Sequence, residues 1–336
     1  MLAPIPRPAR VATFDAGGLL GNPSVRAVQR MDEELRPLLD AMGVKSIIDL
    51  ADVIGGISIG AVLVAWLGMG RPLDRLAELM RGEILQTFHR PPGHFIATGG
   101  GLWGPKYSDK HLKKLLHKHL GTVTLGELPR RVVIGSFFLG NDAEPMREQI
   151  FHNLPGEGSN GHELLADCVS ESVRAPGYWR PHIRRPVEHN GKMVSGGAAI
   201  DGGVWAVNPA FMTASLLRDP RYVDRPYGSD EIKLLSIGTI RGNQRLRSVT
   251  RYRFWGFPVW GFKLPRIFLY GTKGAPWYYS ERWIDVRERV EAVHLPRTSI
   301  KMDDKKKVPA MIAAADRIDY APHLDWLMEH WLEDAK

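Results

Sequence analysis

The sequence predicts an α/β protein in which a mostly parallel central sheet carries helices on both faces. Two observations lead there. An apolar run, a glycine turn and a helix-spaced segment follow one another twice near the start, at residues 11–39 and 53–67. Further on, the continuous apolar runs at 131–139 and 233–237 read as central parallel strands, buried on both faces. Repeated alternation of strand and helix favours a sheet covered on each side.

Taken in order, residues 11–14 form the first predicted strand and end at Asp15-Ala16-Gly17-Gly18-Leu19-Leu20-Gly21, after which 23–39 has helical spacing. Residues 52–54 lead into Gly55-Gly56-Ile57-Ser58-Ile59-Gly60, and 61–67 is expected to be helical. The uncharged stretch between Asp52 and Arg71 reaches the lower length limit for a membrane span, but its five glycines and Ser58 fit a buried strand, turn and helix better. Residues 72–88 continue as an amphipathic helix with Leu73, Leu76, Leu79 and Met80 on one face. After the strand at 131–139, residues 162–174 are predicted helical, 197–201 is an apolar run into a glycine turn, and 308–332 returns to helical periodicity and packs back on the sheet.

Length allows one large domain or two ordinary ones; the absence of a long linker or internal repeat favours a single domain over 1–336. The segment 252–283 differs in texture, holding 12 of the chain's 30 aromatic residues interleaved with Arg253, Lys263, Arg266, Lys273 and Arg282. It reads as a cap or insertion at about 250–284. Both an interfacial surface at an anionic bilayer and ordinary core packing of a cap fit it. Lysine and arginine exceed aspartate and glutamate 45 to 37, which is compatible with an anionic partner without selecting one; no nucleic-acid motif is recognised and no nucleic acid is expected to bind. The N-terminus lacks an apolar signal-peptide core, so the expected location is cytoplasmic, with peripheral membrane contact. Cys168 is the one cysteine, which excludes an internal disulfide and a cysteine-rich metal site and reads as a buried, inert thiol.

The chemistry centres on Ser58. A glycine-framed serine between strand and helix is the pattern of a nucleophile elbow, where Gly56 and Gly60 permit the close backbone packing that a sharp, strained turn demands. Such a serine needs a base. Asp201, in Asp201-Gly202-Gly203, is the best candidate, although Asp-Gly is by itself the commonest hairpin-turn signal. Gly17 and Gly18 follow a strand and precede a helix, so their amides are candidates to hold an oxyanion, joined by the amide of Ile59. Asp15, Gly21, Gly56, Gly60, Gly202 and Gly203 support these three motifs.

In this order the three motifs resemble the patatin-like phospholipase family, whose pattern is Asp-Gly-Gly-Gly-x-Arg/Lys-Gly, Gly-x-Ser-x-Gly and Asp-Gly-Gly/Ala. Segments 107–120, 172–178, 204–210, 234–239 and Met302-Asp303-Asp304 look like family segments in family order. The resemblance implies a three-layer α/β/α sandwich and a lipid acyl hydrolase of phospholipase A type. It implies a Ser-Asp dyad without histidine or metal, with Ser58 as nucleophile, Asp201 as its carboxylate and Gly17 and Gly18 at the oxyanion. Phospholipid or a related lipid ester is the implied substrate, and no cofactor is expected. The chain departs from the pattern at Ala16 in place of the first loop glycine, Leu20 in place of the loop cation, and Ile57 and Ile59 beside the serine.

Two other functions remain open on sequence. A Ser-His-Asp triad would recruit His294, His323 or His330, none of which sits in a glycine-bounded loop. A lipid-binding or regulatory module on the same fold would tolerate the departures at 16, 20, 57 and 59. Gly99, Gly101 and Gly104 spell G-x-G-x-x-G but lack strand-helix context and read as a loop, and His111, His117 and His119 fall on a basic, solvated helix face.

Overall fold

A computed structural model describes residues 2–99, 103–156, 158–189, 191–240, 257–291 and 301–333. Its strands, in chain order, are β1 (Ala9–Phe14), β2 (Val53–Ile57), β3 (Arg131–Phe138), β4 (Arg147–His152), β5 (His182–Ile183), β6 (Val187–His189), β7 (Lys192–Val194), β8 (Ala198–Asp201), β9 (Ile232–Ile237) and β10 (Val286–Val290). The helices are α1 (Gly21–Glu34), α2 (Arg36–Ala41), α3 (Ile59–Gly68), α4 (Leu73–Arg81), α5 (Glu83–Thr87), α6 (His94–Thr98), α7 (Lys110–Leu120), α8 (Leu165–Ser172), α9 (Ala210–Leu216), α10 (Phe257–Trp283), α11 (Val308–Ala315) and α12 (Ala321–Trp326).

The main sheet runs β10-β9-β1-β2-β3-β8-β5, parallel from β10 to β3, with β4 antiparallel on β3 and β6-β7 forming a separate ribbon. The predicted mostly parallel sheet with helices around it is therefore present. Strand residues alternate between two cores. Ala12, Phe14, Ile54, Val132 and Leu235 pack into the cluster beneath α1, α3, α4, α7, α8 and α11. Val11, Val53, Ile57, Val133 and Leu234 pack into the cluster beneath α9. Period-two alternation between two apolar layers explains why the strands read as unbroken hydrophobic runs.

Several element boundaries differ from the sequence expectation. The helix expected over 23–39 breaks at Leu35, after which Pro37 occupies the first turn of α2, where its missing N–H is tolerated. The one expected over 72–88 breaks at Gly82, where the backbone leaves the helical region between α4 and α5. Leu73, Leu76, Leu79 and Met80 are all buried, as their spacing predicted. The helix at 162–174 shortens to α8, and the C-terminal periodicity resolves into α11, α12 and a π-turn, Leu327–Trp331, whose Trp331 is fully buried and donates to the Ile47 carbonyl. Cys168 is buried, and burial pushes its thiol well above the ordinary range. Within 252–283, residues 257–283 form the single helix α10, while 252–256 lie outside the described residues.

Candidate active site

The register of β3 brings Ser58 and Asp201 together. One edge of β3 is occupied by β4 across Val133–Phe138, so β2 and β8 share the other edge. β2 runs parallel and ends with Ile57 opposite Gly135; β8 runs antiparallel and ends with Asp201 opposite Ser136. Two strands meet head to head on consecutive residues of a third, and the residue that follows one lies beside the residue that ends the other.

Ser58 leaves β2 in a strained conformation, φ 58° and ψ −121°, and is the one non-glycine residue with positive φ among the described residues. Strain of this kind persists only where neighbours over-determine it. The glycines show how tightly. A Cβ on Gly56 would stand 2.3 Å from the Gly60 carbonyl oxygen, and one on Gly60 would stand 2.1 Å from that of Phe14. The start of α3 thus packs directly on the end of β1. Ser172, ending α8, completes the turn: its hydroxyl accepts from the Ser58 N–H at 2.8 Å and donates to the Gly135 carbonyl at 2.6 Å.

Asp201 is 4% exposed and Ser58 is 5% exposed. The carboxylate accepts from the Gly203 N–H at 2.7 Å, the Asp201 N–H donates to the Arg174 carbonyl, and the Ser58 hydroxyl lies near enough to favour the charged carboxylate. Burial pushes its pKa up to about 6, against the opposing pull of Ser58 and of the Gly203 hydrogen bond. The Asp-Gly pair is no hairpin turn here. It opens a 3-10 turn, Gly202–Val204, in which a Cβ on Gly202 would stand 2.6 Å from the Gly135 carbonyl oxygen.

The glycine loop joins the same place. Its far end touches the elbow, since a Cβ on Gly21 would meet Ile59 at 2.8 Å, and Ala16 lies beside Gly203. Along the loop, the amides of Asp15, Ala16, Leu19, Leu20 and Gly21 each donate to a protein carbonyl. Those of Gly17 and Gly18 have no acceptor among the described residues. Gly18 has φ +59° and is pressed against Met302, whose carbonyl accepts from Leu19. The amide of Ile59, at the first position of α3, has no intrahelical acceptor and none among the described residues. A hydroxyl beside a buried carboxylate, with loop amides that have no acceptor among the described residues, has the composition that nucleophilic attack on a carbonyl requires.

The departures have structural reasons. Ile57 and Ile59 are core residues of the two layers, and Leu20 packs against the larger core. Positive charge reaches the loop from elsewhere. Asp15 is buried and takes the Arg289 guanidinium through both oxygens, at 2.7 and 3.3 Å, while Lys273 of α10 lies 3.9 Å from it and pairs with Glu291. Asp15 and Glu291 hold the Arg289 guanidinium protonated against its burial. Sequence reading missed Ser172, Lys273 and Arg289. Ser172 and Met302 sat inside segments noted for resemblance, whereas the alternating Val286-Arg287-Glu288-Arg289-Val290 resembles an edge strand and gives no sign that Arg289 turns inward.

The two described candidate histidines have other partners. His323 pairs with Glu288 of β10 at 2.5 Å, His330 lies near Glu329, and His294 is outside the described residues. Gly101 of the G-x-G-x-x-G run is also outside them, and Gly99 ends α6. Among the described residues, no group of three or more His, Cys, Asp or Glu is arranged to hold a metal ion.

A patatin-like phospholipase family model matches residues 13–214. The chain is 25% identical over 315 residues to Patatin-03 of Solanum tuberosum, spanning 88% of this chain and 79% of that one. It is 26% identical over 356 residues to CotR of Bacillus subtilis (strain 168), spanning 96% and 98%. Among solved structures it is similar to VipD from Legionella pneumophila, with a TM-score of 0.42 and 12% identity over 98% of this chain and 68% of the other.

Proposed function

This chain belongs to the patatin-like phospholipase family, and on that premise we propose that it cleaves acyl ester bonds of phospholipids or related lipid esters through a Ser58-Asp201 dyad. Family membership supports a lipid hydrolase. The finer reading rests above all on the strand register that sets Ser58 beside the buried Asp201 carboxylate, close enough to favour its charged form.

In this reading the Ser58 oxygen attacks the ester carbonyl carbon as its proton passes to Asp201. Charge on the carbonyl oxygen is held by the Gly17 and Gly18 amides with that of Ile59, each donor contributing about 3 kcal/mol toward the transition state. Collapse breaks the bond to the alcohol oxygen, which leaves with the proton from Asp201 and frees a lysolipid. Water then attacks the acyl-serine, gives its proton to Asp201, and the Ser58 oxygen recovers it as the fatty acid departs.

A fluorophosphonate probe tests the nucleophile: intact-mass and peptide analysis should show one adduct, on Ser58, absent in Ser58→Ala. Incubation with a mixed lipid extract, read by mass spectrometry, should yield lysolipids and free fatty acids. Lipid binding without labelling or products would replace this reading by a non-catalytic lipid-binding module. Full ester turnover in both Ser58→Ala and Asp201→Asn would remove the dyad.

A further inference from the structure

On the lipid-hydrolase reading, we infer that Asp303 is a positioning residue for that reaction: anchored by Lys106 and Tyr107, it holds Met302 against the glycine loop and so fixes where the Gly17 and Gly18 amides stand. The loop leans on one backbone group. The Met302 carbonyl accepts from the Leu19 N–H at 2.8 Å, and a Cβ on Gly18 would stand 2.6 Å from the same oxygen. Gly18 takes φ +59° directly against that carbonyl, so any shift of Met302 is passed to the amides beside it.

Asp303 decides where Met302 stands. Its side chain is 5% exposed, and one carboxylate oxygen takes both the Lys106 ammonium and, at 2.6 Å, the Tyr107 hydroxyl. Burial opposes its charge, yet these two partners hold the Asp303 carboxyl below its ordinary range, so the anchor is intact at neutral pH. A buried ion pair adds little stability over apolar residues of the same volume, but its hydrogen bonds are directional, and here they leave the carboxylate one place to sit.

The anchor belongs to the body that also fixes the elbow. The Lys106 N–H donates to the Gly177 carbonyl at 2.9 Å and the Tyr107 N–H to the Tyr178 carbonyl at 2.8 Å, while the Tyr107 ring is buried against Phe88 and Trp179. Gly177 and Tyr178 lie just beyond α8, whose last residue, Ser172, holds the Ser58 N–H. The stretch 172–178 thus reaches Ser58 through Ser172 and the glycine loop through Lys106, Tyr107 and Asp303. An oxyanion cradle needs such a common reference, because its donors act only at hydrogen-bond distance from the charge that develops at the attacked carbonyl.

The test compares Asp303→Ala, Asp303→Asn and Tyr107→Phe with the wild type, all as full chains. Turnover of p-nitrophenyl butyrate is measured per active site, counted by the end point of fluorophosphonate labelling, and amide exchange is followed by mass spectrometry on peptides spanning 15–21. In Asp303→Ala, kcat per labelled site should fall at least about tenfold with KM within about twofold. Its Leu19 amide should exchange at least about tenfold faster. Asp303→Asn keeps an acceptor for both donors and should recover most of the activity. Should Asp303→Ala not fold, Tyr107→Phe carries the test, since it deletes one hydroxyl and leaves the ring in place; it should move both readouts in the same direction by less. Wild-type kcat per site and wild-type Leu19 exchange in the variant that folds overturn the inference. So does a smaller labelled fraction with unchanged kcat per site, which would make Asp303 a stabilising residue only. If Leu19 exchange responds while the wild-type protein neither labels nor hydrolyses any ester, Asp303 holds the loop and the hydrolase reading is what fails.

Discussion

Asp201 puts function and stability in opposition. Its pKa of about 6 lies above the ordinary carboxylate value of 3.8 because burial disfavours the charge more than Ser58 and the Gly203 N–H favour it. The proposed dyad needs the ionised form, so kcat/KM is expected to fall about tenfold per pH unit below about 6, measured on a monomeric ester. The folded state meanwhile holds this proton more tightly than the unfolded chain. Between roughly 4 and 6, stability conferred by the group is therefore lost as pH rises. Asp201→Asn keeps an acceptor for the Gly203 N–H and removes a buried charge. It should abolish turnover yet raise unfolding free energy at neutral pH, by on the order of 2 kcal/mol, measured by denaturant titration. The φ of +58° at Ser58 has a parallel effect: Ser58→Gly should be more stable than Ser58→Ala by about 1 kcal/mol, because only glycine adopts that backbone without strain. Equal midpoints for the two inactive variants would show that the elbow stores no strain.

At the level of elements, the decisive contacts are between backbones. Gly60 leaves no room for a methyl group, since its Cβ would fall 2.1 Å from the Phe14 carbonyl oxygen and neither α3 nor β1 can retreat from a fully packed layer. Gly60→Ala is expected to destabilise by more than about 3 kcal/mol or to yield no folded protein, checked by calorimetry. Ser172→Ala is milder. It strands the buried Ser58 N–H and should cost about 1–3 kcal/mol, while lowering kcat more than it changes KM, because the proposed nucleophile loses the bond that fixes its turn. These elements were unevenly legible. Strands β1, β2, β3 and β9, the two glycine-bearing turns and Asp201 stood out because each combines an apolar run with a residue type that only special geometry explains. Helix lengths were misjudged at Leu35 and Gly82, where hydrophobic spacing continues across a break set by local backbone geometry. The aromatic segment left core and interface open, because aromatic composition serves both.

Across the whole molecule, the two motifs separated by most of the N-terminal half converge because β2 and β8 end on neighbouring residues of β3, a register that no local pattern encodes. The glycine loop depends on still more distant parts. Asp15, fully buried at its start, is paired by Arg289 from β10 and approached by Lys273 from α10. Arg289→Met leaves that carboxylate without its main partner and should cost about 3–5 kcal/mol, measured by chemical denaturation; adding Asp15→Asn should return much of the loss. If the single variant melts like the wild type, the cluster does not hold the loop. The family match over 13–214 contains Ser58, Asp201 and both open amides, yet neither of these cations. A chimaera that grafts these first residues onto a relative's C-terminal portion would inherit the whole proposed reaction centre and orphan the carboxylate underneath it. Exchange between relatives is then productive only when donor and recipient agree on who supplies that countercharge, which ties the evolution of the last third of the chain to a loop some 270 residues away.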